Sequence, residues 1–134
     1  METTRSVLFV CPHGAAKSVI AAAYFRREAT VRGMQIDAAS AGTEPDTFVP
    51  PAVVEALRAE GIDVAGYRPR HVTREELAAA GHVVSLGCDL DGLAPPGRDI
   101  ERWDDLPLVS EDVDVARAAI RSRVMTLLDA MEGP

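Results

Sequence analysis

Short apolar runs alternate with longer Ala-rich stretches along the chain, and the two patterns have different periods. Ser6-Val7-Leu8-Phe9-Val10 follows a polar tail and is apolar from Val7 onward, the pattern of a central parallel strand buried on both faces. Cys11 to Ser18 is turn-prone, and Val19 to Arg32 then predicts a helix with Gly33 as its C-terminal cap. Ile36 to Ala41 predicts a second strand, with Gly42-Thr43-Glu44-Pro45 a loop. Pro51 suits the first turn of a helix over Ala52 to Glu60 that stops at Gly61. Thr73, with Glu76 three residues later, predicts a capping box on a short helix that stops at Gly81. His82 to Leu86 predicts a third strand, Gly87 to Gly97 a loop, and Arg98 to Trp103 a fourth, short strand. Ser110 is expected to cap a last helix reaching about Met131. Val113, Ala116, Ile120, Val124, Leu127, Leu128 and Met131 keep helical spacing there and mark one buried face.

Strands alternating with helices predict an α/β fold with right-handed crossovers, a small parallel sheet covered on both sides in three αβα layers. No repeat, linker or change of composition divides the chain, so residues 1–134 are expected to form one domain. Ligands of such sheets bind at the carboxyl ends of the strands, near the switch point. The loop after the first strand is therefore the place to look for chemistry.

Composition narrows the partners. Fourteen basic against 21 acidic residues give a net charge of −7, which argues against a nucleic-acid partner, since phosphate-backbone affinity comes from clustered Lys and Arg. A small anion is still allowed, because local backbone geometry overrides net charge. No apolar run approaches the roughly 20 residues of a membrane span, and the N-terminus lacks the pattern of a secretion signal. Two cysteines, Cys11 and Cys88, are too few for a disulfide scaffold or a four-thiolate zinc site, so reduced thiols in a cytoplasm are expected. His13, His71 and His82 are scattered without metal-ligand spacing, and neither a metal nor any other cofactor is expected.

The segment Cys11-Pro12-His13-Gly14-Ala15-Ala16-Lys17-Ser18 combines a strand end, a thiol, a curl, a cation and a helix start. In such a curl the amides of His13, Gly14, Ala15, Ala16, Lys17 and Ser18 can converge into an anion nest, to which the following helix adds its N-terminal partial charge. A thiol at the lip of that nest has its thiolate stabilised and becomes a nucleophile. Ser18 is placed to donate to that thiolate, and Gly14 can supply a left-handed conformation. His13 is placed to donate to a ligand or to flank the entrance. Taken singly, Cys11 would pass for a small core hydrophobe and Lys17 for a solvated charge; position and spacing together point to a thiolate beside an anion.

Val7 to Ser18 resembles the phosphate-binding loop of the low-molecular-weight protein tyrosine phosphatases, and looks closest to their relatives, the phosphatase-fold arsenate reductases. The resemblance continues through Ser40-Ala41-Gly42-Thr43, Gly61-Ile62-Asp63, Arg68-Pro69-Arg70, Val83 to Asp89, and Trp103-Asp104, and spans essentially the whole chain. It implies a four-stranded, low-molecular-weight phosphatase-like fold, with Cys11 attacking a phosphorus or arsenic centre, the loop amides binding the oxyanion and Ser18 supporting the thiolate. An Asp on a distant loop would protonate the leaving group.

Two departures from that pattern matter. The family's Arg is Lys17 here, so a compact point charge replaces a bidentate fork, a loss worth roughly 2–4 kcal/mol by analogy with oxyanion-hole deletions. Trp103-Asp104-Asp105-Leu106-Pro107-Leu108 contains no Asp-Pro, and the acid role is expected to fall on Asp105, or less readily on Asp104, by a small loop shift. Cys88 occupies the position of the first of the reductases' second cysteine pair, but Asp89 to Pro95 offers no partner. That excludes a three-thiol relay and leaves plain packing, a Cys11–Cys88 disulfide or an external thiol reductant. Three readings follow: a phosphate monoester hydrolase working through a Cys11 phospho-intermediate, an arsenate reductase drawing on a thiol reductant, or a catalytically weak member that binds an oxyanion or a partner. The substrate in each is a small oxyanion or a phosphorylated molecule.

Overall fold

The structure, a computed structural model, describes residues 5–132. The elements run β1 (Arg5–Cys11), α1 (Lys17–Val31), β2 (Ile36–Gly42), α2 (Pro51–Arg58), α3 (Arg74–Ala79), β3 (His82–Ser85), β4 (Glu101–Arg102) and α4 (Val113–Glu132). The sheet order is β2-β1-β3-β4 and every pair is parallel. β1 is thus central, as its unbroken apolar run predicts, and the chain changes direction across the sheet between β1 and β3. That change puts the switch-point crevice at the end of β1, where Cys11 pairs with Gly42 of β2.

Alternation along β1 separates two cores. Val7, Phe9 and Cys11 face α1, α2 and α4, packing with Ile20, Phe25, Leu57, Trp103, Ile120, Val124 and Leu128. Leu8 and Val10 face the other way, with Leu77 of α3 and with Val72, Val83, Cys88 and Leu90. The α4 stripe is buried at Ala116, Ile120, Val124, Leu127 and Leu128, while Met131 is only partly buried and packs against that cluster. The helix over α3 carries its capping box: Thr73 Oγ1 accepts from the Glu76 amide, and Glu76 Oε1 accepts from the Thr73 amide, each at 3.1 Å. No helix among the described residues is long and apolar enough to cross a membrane.

Most boundaries fall within two residues of the sequence reading, and three of the differences have a local reason. α1 begins at Lys17 rather than Val19, with Ala16 at its N-cap and no side-chain cap, so Lys17 and Ser18 belong to the first helical turn. α4 is capped by Asp112, not Ser110: the Asp112 carboxylate accepts from the amides of Asp114 and Val115 at 3.1 Å each. Ser110 lies in the preceding turn, whose residues 111 and 112 donate to the Leu108 carbonyl. The fourth strand shrinks to Glu101–Arg102, because only Val84 and Ser85 of β3 remain to pair with it.

Glu60, just beyond α2, ties three helices together. Its carboxylate accepts from the Tyr24 hydroxyl of α1 and from Arg117 of α4, and Arg27 lies 3.6 Å away. Burial pushes the Glu60 carboxyl up, but the donors Tyr24 and Arg117 and the charges of Arg117 and Arg27 outweigh it and hold it below its ordinary range. Burial, then the Glu60 contact, pushes the Tyr24 phenol up to about 12. A carboxyl lowered by folding stabilises the native state above its unfolded value, and that stability is lost as pH falls through the folded value. Glu60→Gln is expected to cost about 1–2 kcal/mol at neutral pH, with the gap from wild type closing in acid. Denaturant melts at a series of acidic pH values measure it, and a constant gap would show that Glu60 acts by packing alone.

Candidate functional site

Pro12 to Ala16 carry the chain from β1 into α1 in a single curl, and two glycines hold that curl against the sheet. Gly14 adopts φ +60°, and a Cβ there would stand 2.7 Å from the Gly42 amide nitrogen; a Cβ on Gly42 would stand 2.6 Å from that of Gly14. Neither position has room for a side chain, and the loop lies backbone to backbone on the end of β2. The Pro12 and His13 carbonyls are turned to the neighbouring β2–α2 connection, accepting from the Glu44 amide at 2.7 Å and the Asp46 amide at 3.0 Å. With those carbonyls committed on one side, the amides of residues 13–18 donate to no protein acceptor among the described residues. Gly14 and Ala15 are buried, and buried amides without protein acceptors are a ready anion site. The absence of a capping side chain or an acidic residue in the first turn of α1 leaves its positive end available to the same anion.

Cys11 and Ser18 meet at the base of this nest, both buried, with Sγ and Oγ 3.1 Å apart and hydrogen-bonded. In the thiol form the sulfur donates; in the thiolate form the Ser18 hydroxyl does. Lys17 is half-buried, makes no hydrogen bond or ion pair among the described residues, and sets its Nζ 3.8 Å from where a Gly87 Cβ would stand. The structure therefore brings together Cys11, His13, Gly14, Ala15, Ala16, Lys17 and Ser18.

A cleft of about 560 Å³ opens above the nest, and Cys11, His13, Ala15, Ala16 and Lys17 line its floor and rim. Its walls are largely apolar, formed by Pro50 and Ala52 on one side and by Leu86, Leu108 and Val109 on the other. The acid-loop carboxylates are not among the lining residues. Asp105 is exposed and ion-paired with Arg123 of α4, whose guanidinium lies 5.9 Å from the Trp103 ring centroid, and Asp104 is exposed as well. The one carboxylate among the described lining residues is Asp46, which sequence reasoning did not single out. No periodicity or motif marks it; only the fold of the β2–α2 connection brings it to the rim.

Cys88 lies outside the cleft lining, buried in the core on the opposite face from Cys11. Its thiol donates to the Val10 carbonyl at 3.4 Å, and Ser85 Oγ lies 3.4 Å from its sulfur. Burial pushes this thiol up; the Ser85 contact offsets that only in part, and Cys11, Asp104 and Asp89 add to it. Both cysteines are free.

Comparison with known proteins agrees with this geometry. The family described as low molecular weight phosphotyrosine protein phosphatase matches residues 6–96. A protein of Halobacterium salinarum named "Putative arsenate reductase" is 30% identical over 133 residues, covering 96% of this chain and 94% of its own. An arsenate reductase from Archaeoglobus fulgidus superposes with a TM-score of 0.72 at 28% identity, covering 92% of this chain and 98% of that one. A low molecular weight phosphotyrosine phosphatase from Vibrio cholerae superposes with a TM-score of 0.85 at 20% identity, covering 96% and 97%, a likeness of fold.

Proposed function

The chain belongs to the low molecular weight phosphotyrosine protein phosphatase family, and from that premise we propose that it hydrolyses phosphate monoesters through a covalent Cys11 intermediate. The observation that carries this reading is the Cys11–Ser18 contact of 3.1 Å beneath amides 13–18 that have no protein acceptor. A phosphoryl group whose oxygens take those amides places its phosphorus over the Cys11 sulfur. The thiolate then forms the S–P bond as the P–O bond to the leaving group breaks, and the leaving oxygen keeps the bonding pair. Lys17 and the α1 terminus hold the charge that builds on the equatorial oxygens. Water next attacks the phosphorus, the S–P pair returns to sulfur, and Ser18 again donates to the thiolate. The apolar walls suit an ester whose alcohol has apolar surface.

Arsenate reduction is the second reading, and the observation that favours it is the 30% identity to the Halobacterium salinarum protein named "Putative arsenate reductase". In that reaction arsenate is thiolated by Cys11, and two thiols together supply the two electrons that reduce As(V) to As(III). Its raised pKa keeps the Cys88 thiol protonated at neutral pH, which makes it a slow attacking group, so hydrolysis is placed first and a thiol reductant is assigned only to the second reading. The test gives the wild type p-nitrophenyl phosphate in one assay and arsenate with dithiothreitol in another. Nitrophenolate release inhibited competitively by inorganic phosphate is the expected result. Arsenite formation without ester turnover transfers the function to the second reading, and phosphate binding with neither reaction leaves an oxyanion-binding protein.

A further inference from the structure

The cleft places a nucleophile, a cation and an anion nest around a phosphoryl group, yet no acid-loop carboxylate lines it. Four titratable side chains do line it: Cys11, Lys17, His13 and Asp46. Cys11 is committed to attack, and Lys17 sits on the Gly87 side of the floor. His13 and Asp46 remain, and they are fixed to one another twice. The Asp46 amide donates to the His13 carbonyl at 3.0 Å, and Asp46 Oδ1 stands 3.4 Å from His13 Nδ1. The first contact joins the phosphate loop to the β2–α2 connection, so the second does not depend on two loose side chains meeting by chance.

We propose that His13 is the proton donor to the leaving group, with Asp46 as the positioning residue that holds its Nδ1 side and leaves Nε2 toward the cleft. This deepens the hydrolytic reading above and rests on it. In-line attack by Cys11 sends the leaving oxygen away from the sulfur, out of the nest and toward the cleft mouth. His13 stands there, its side chain 62% exposed, on the same loop as the amides that fix the phosphorus. Asp46 keeps Nδ1 occupied, the arrangement by which a carboxylate orients a catalytic imidazole. As the P–O bond breaks, the leaving oxygen takes the Nε2 proton and the ring becomes neutral. In the second step the neutral ring accepts a proton from the attacking water as the S–P bond breaks, which restores the imidazolium and the thiolate.

The consequence is a dependence on leaving group that a structural role would not produce. At neutral pH p-nitrophenolate departs without a proton, whereas the phenolate of phenyl phosphate needs one. Against phenyl phosphate, His13→Gln is expected to lower kcat/KM by about 100-fold or more, the usual range for a positioned acid. Against p-nitrophenyl phosphate the same variant should lose little in kcat/KM, which reports only the phosphorylation step, while kcat falls with the loss of the proton acceptor in the second step, which the two esters share. Asp46→Asn should show the same preference in kcat/KM to a smaller degree. Phosphate affinity by calorimetry should equal that of wild type in both variants, showing that the nest is intact. Equal losses in kcat/KM on the two esters, or none on either, overturn the assignment while leaving Cys11 hydrolysis standing. A leaving-group dependence found in Asp105→Asn and not in His13→Gln overturns it in favour of the acid loop. If wild type turns over neither ester, the hydrolytic reading and this one fall together.

Discussion

Cys11→Ser is expected to remove turnover of p-nitrophenyl phosphate by about four orders of magnitude or more, the scale seen when an enzyme loses its nucleophile, while inorganic phosphate still binds. The two halves of that result have separate origins. Turnover depends on one atom, the Cys11 sulfur, buried beside Ser18 at the base of the loop. A hydroxyl there remains protonated at neutral pH, and its hydrogen-bond partner, the Ser18 hydroxyl, is no base to activate it. Binding depends on the amides of residues 13–18 and on the α1 terminus, none of which the substitution touches. Steady-state assay and phosphate calorimetry on the same sample separate the two. Loss of phosphate affinity along with turnover would make Cys11 a packing residue on which the loop's shape depends. Turnover near the wild-type rate would mean a different nucleophile.

Lys17→Ala is expected to lower kcat/KM for the same ester by about 10²- to 10³-fold, equivalent to roughly 2.7–4 kcal/mol, the range for deleting one preorganised donor. Lys17 is the one Lys or Arg among the described residues lining the cleft, and it makes no ion pair among the described residues that its removal would also break. Its half-buried position in the first turn of α1 makes its charge more effective than that of an exposed lysine. Lys17→Arg tells a second thing. Activity equal to or below wild type marks Lys17 as a working part. An inert wild type that gains hydrolysis on Lys17→Arg would show a scaffold that has given up catalysis and kept the oxyanion.

The legible parts of the site lie close together in sequence. Cys11, the six amides after Pro12, Lys17 and Ser18 fall within one strand-to-helix junction, and a nest needs only a curl of consecutive residues. The position of β1 could be read because a strand buried on both faces leaves a continuous apolar run. Boundaries were harder: Asp112 displaced Ser110 as the cap of α4, a choice between two capable residues that only the path of the preceding turn makes. Asp105 shows the same limit at the level of function. Its neighbours in sequence are those of an acid loop, but in the structure it pairs with Arg123, which also lies over Trp103. Nothing in residues 103–108 announces that an arginine on α4 will hold it.

By itself the sequence determined the layered α/β architecture, the central strand and the strand-to-helix loop on which the proposed nucleophile and oxyanion site lie, since each is written in periodicity or in adjacent residues. The tertiary structure alone decided how the loop is held and what stands at its mouth. Gly14 and Gly42 meet because β1 and β2 pair in one register, Cys11 opposite Gly42. Asp46 reaches His13 because the connection leaving β2 folds back over the phosphate loop. Contacts between distant segments depend on strand register and on the path of a connection, and neither leaves a periodic mark on the chain.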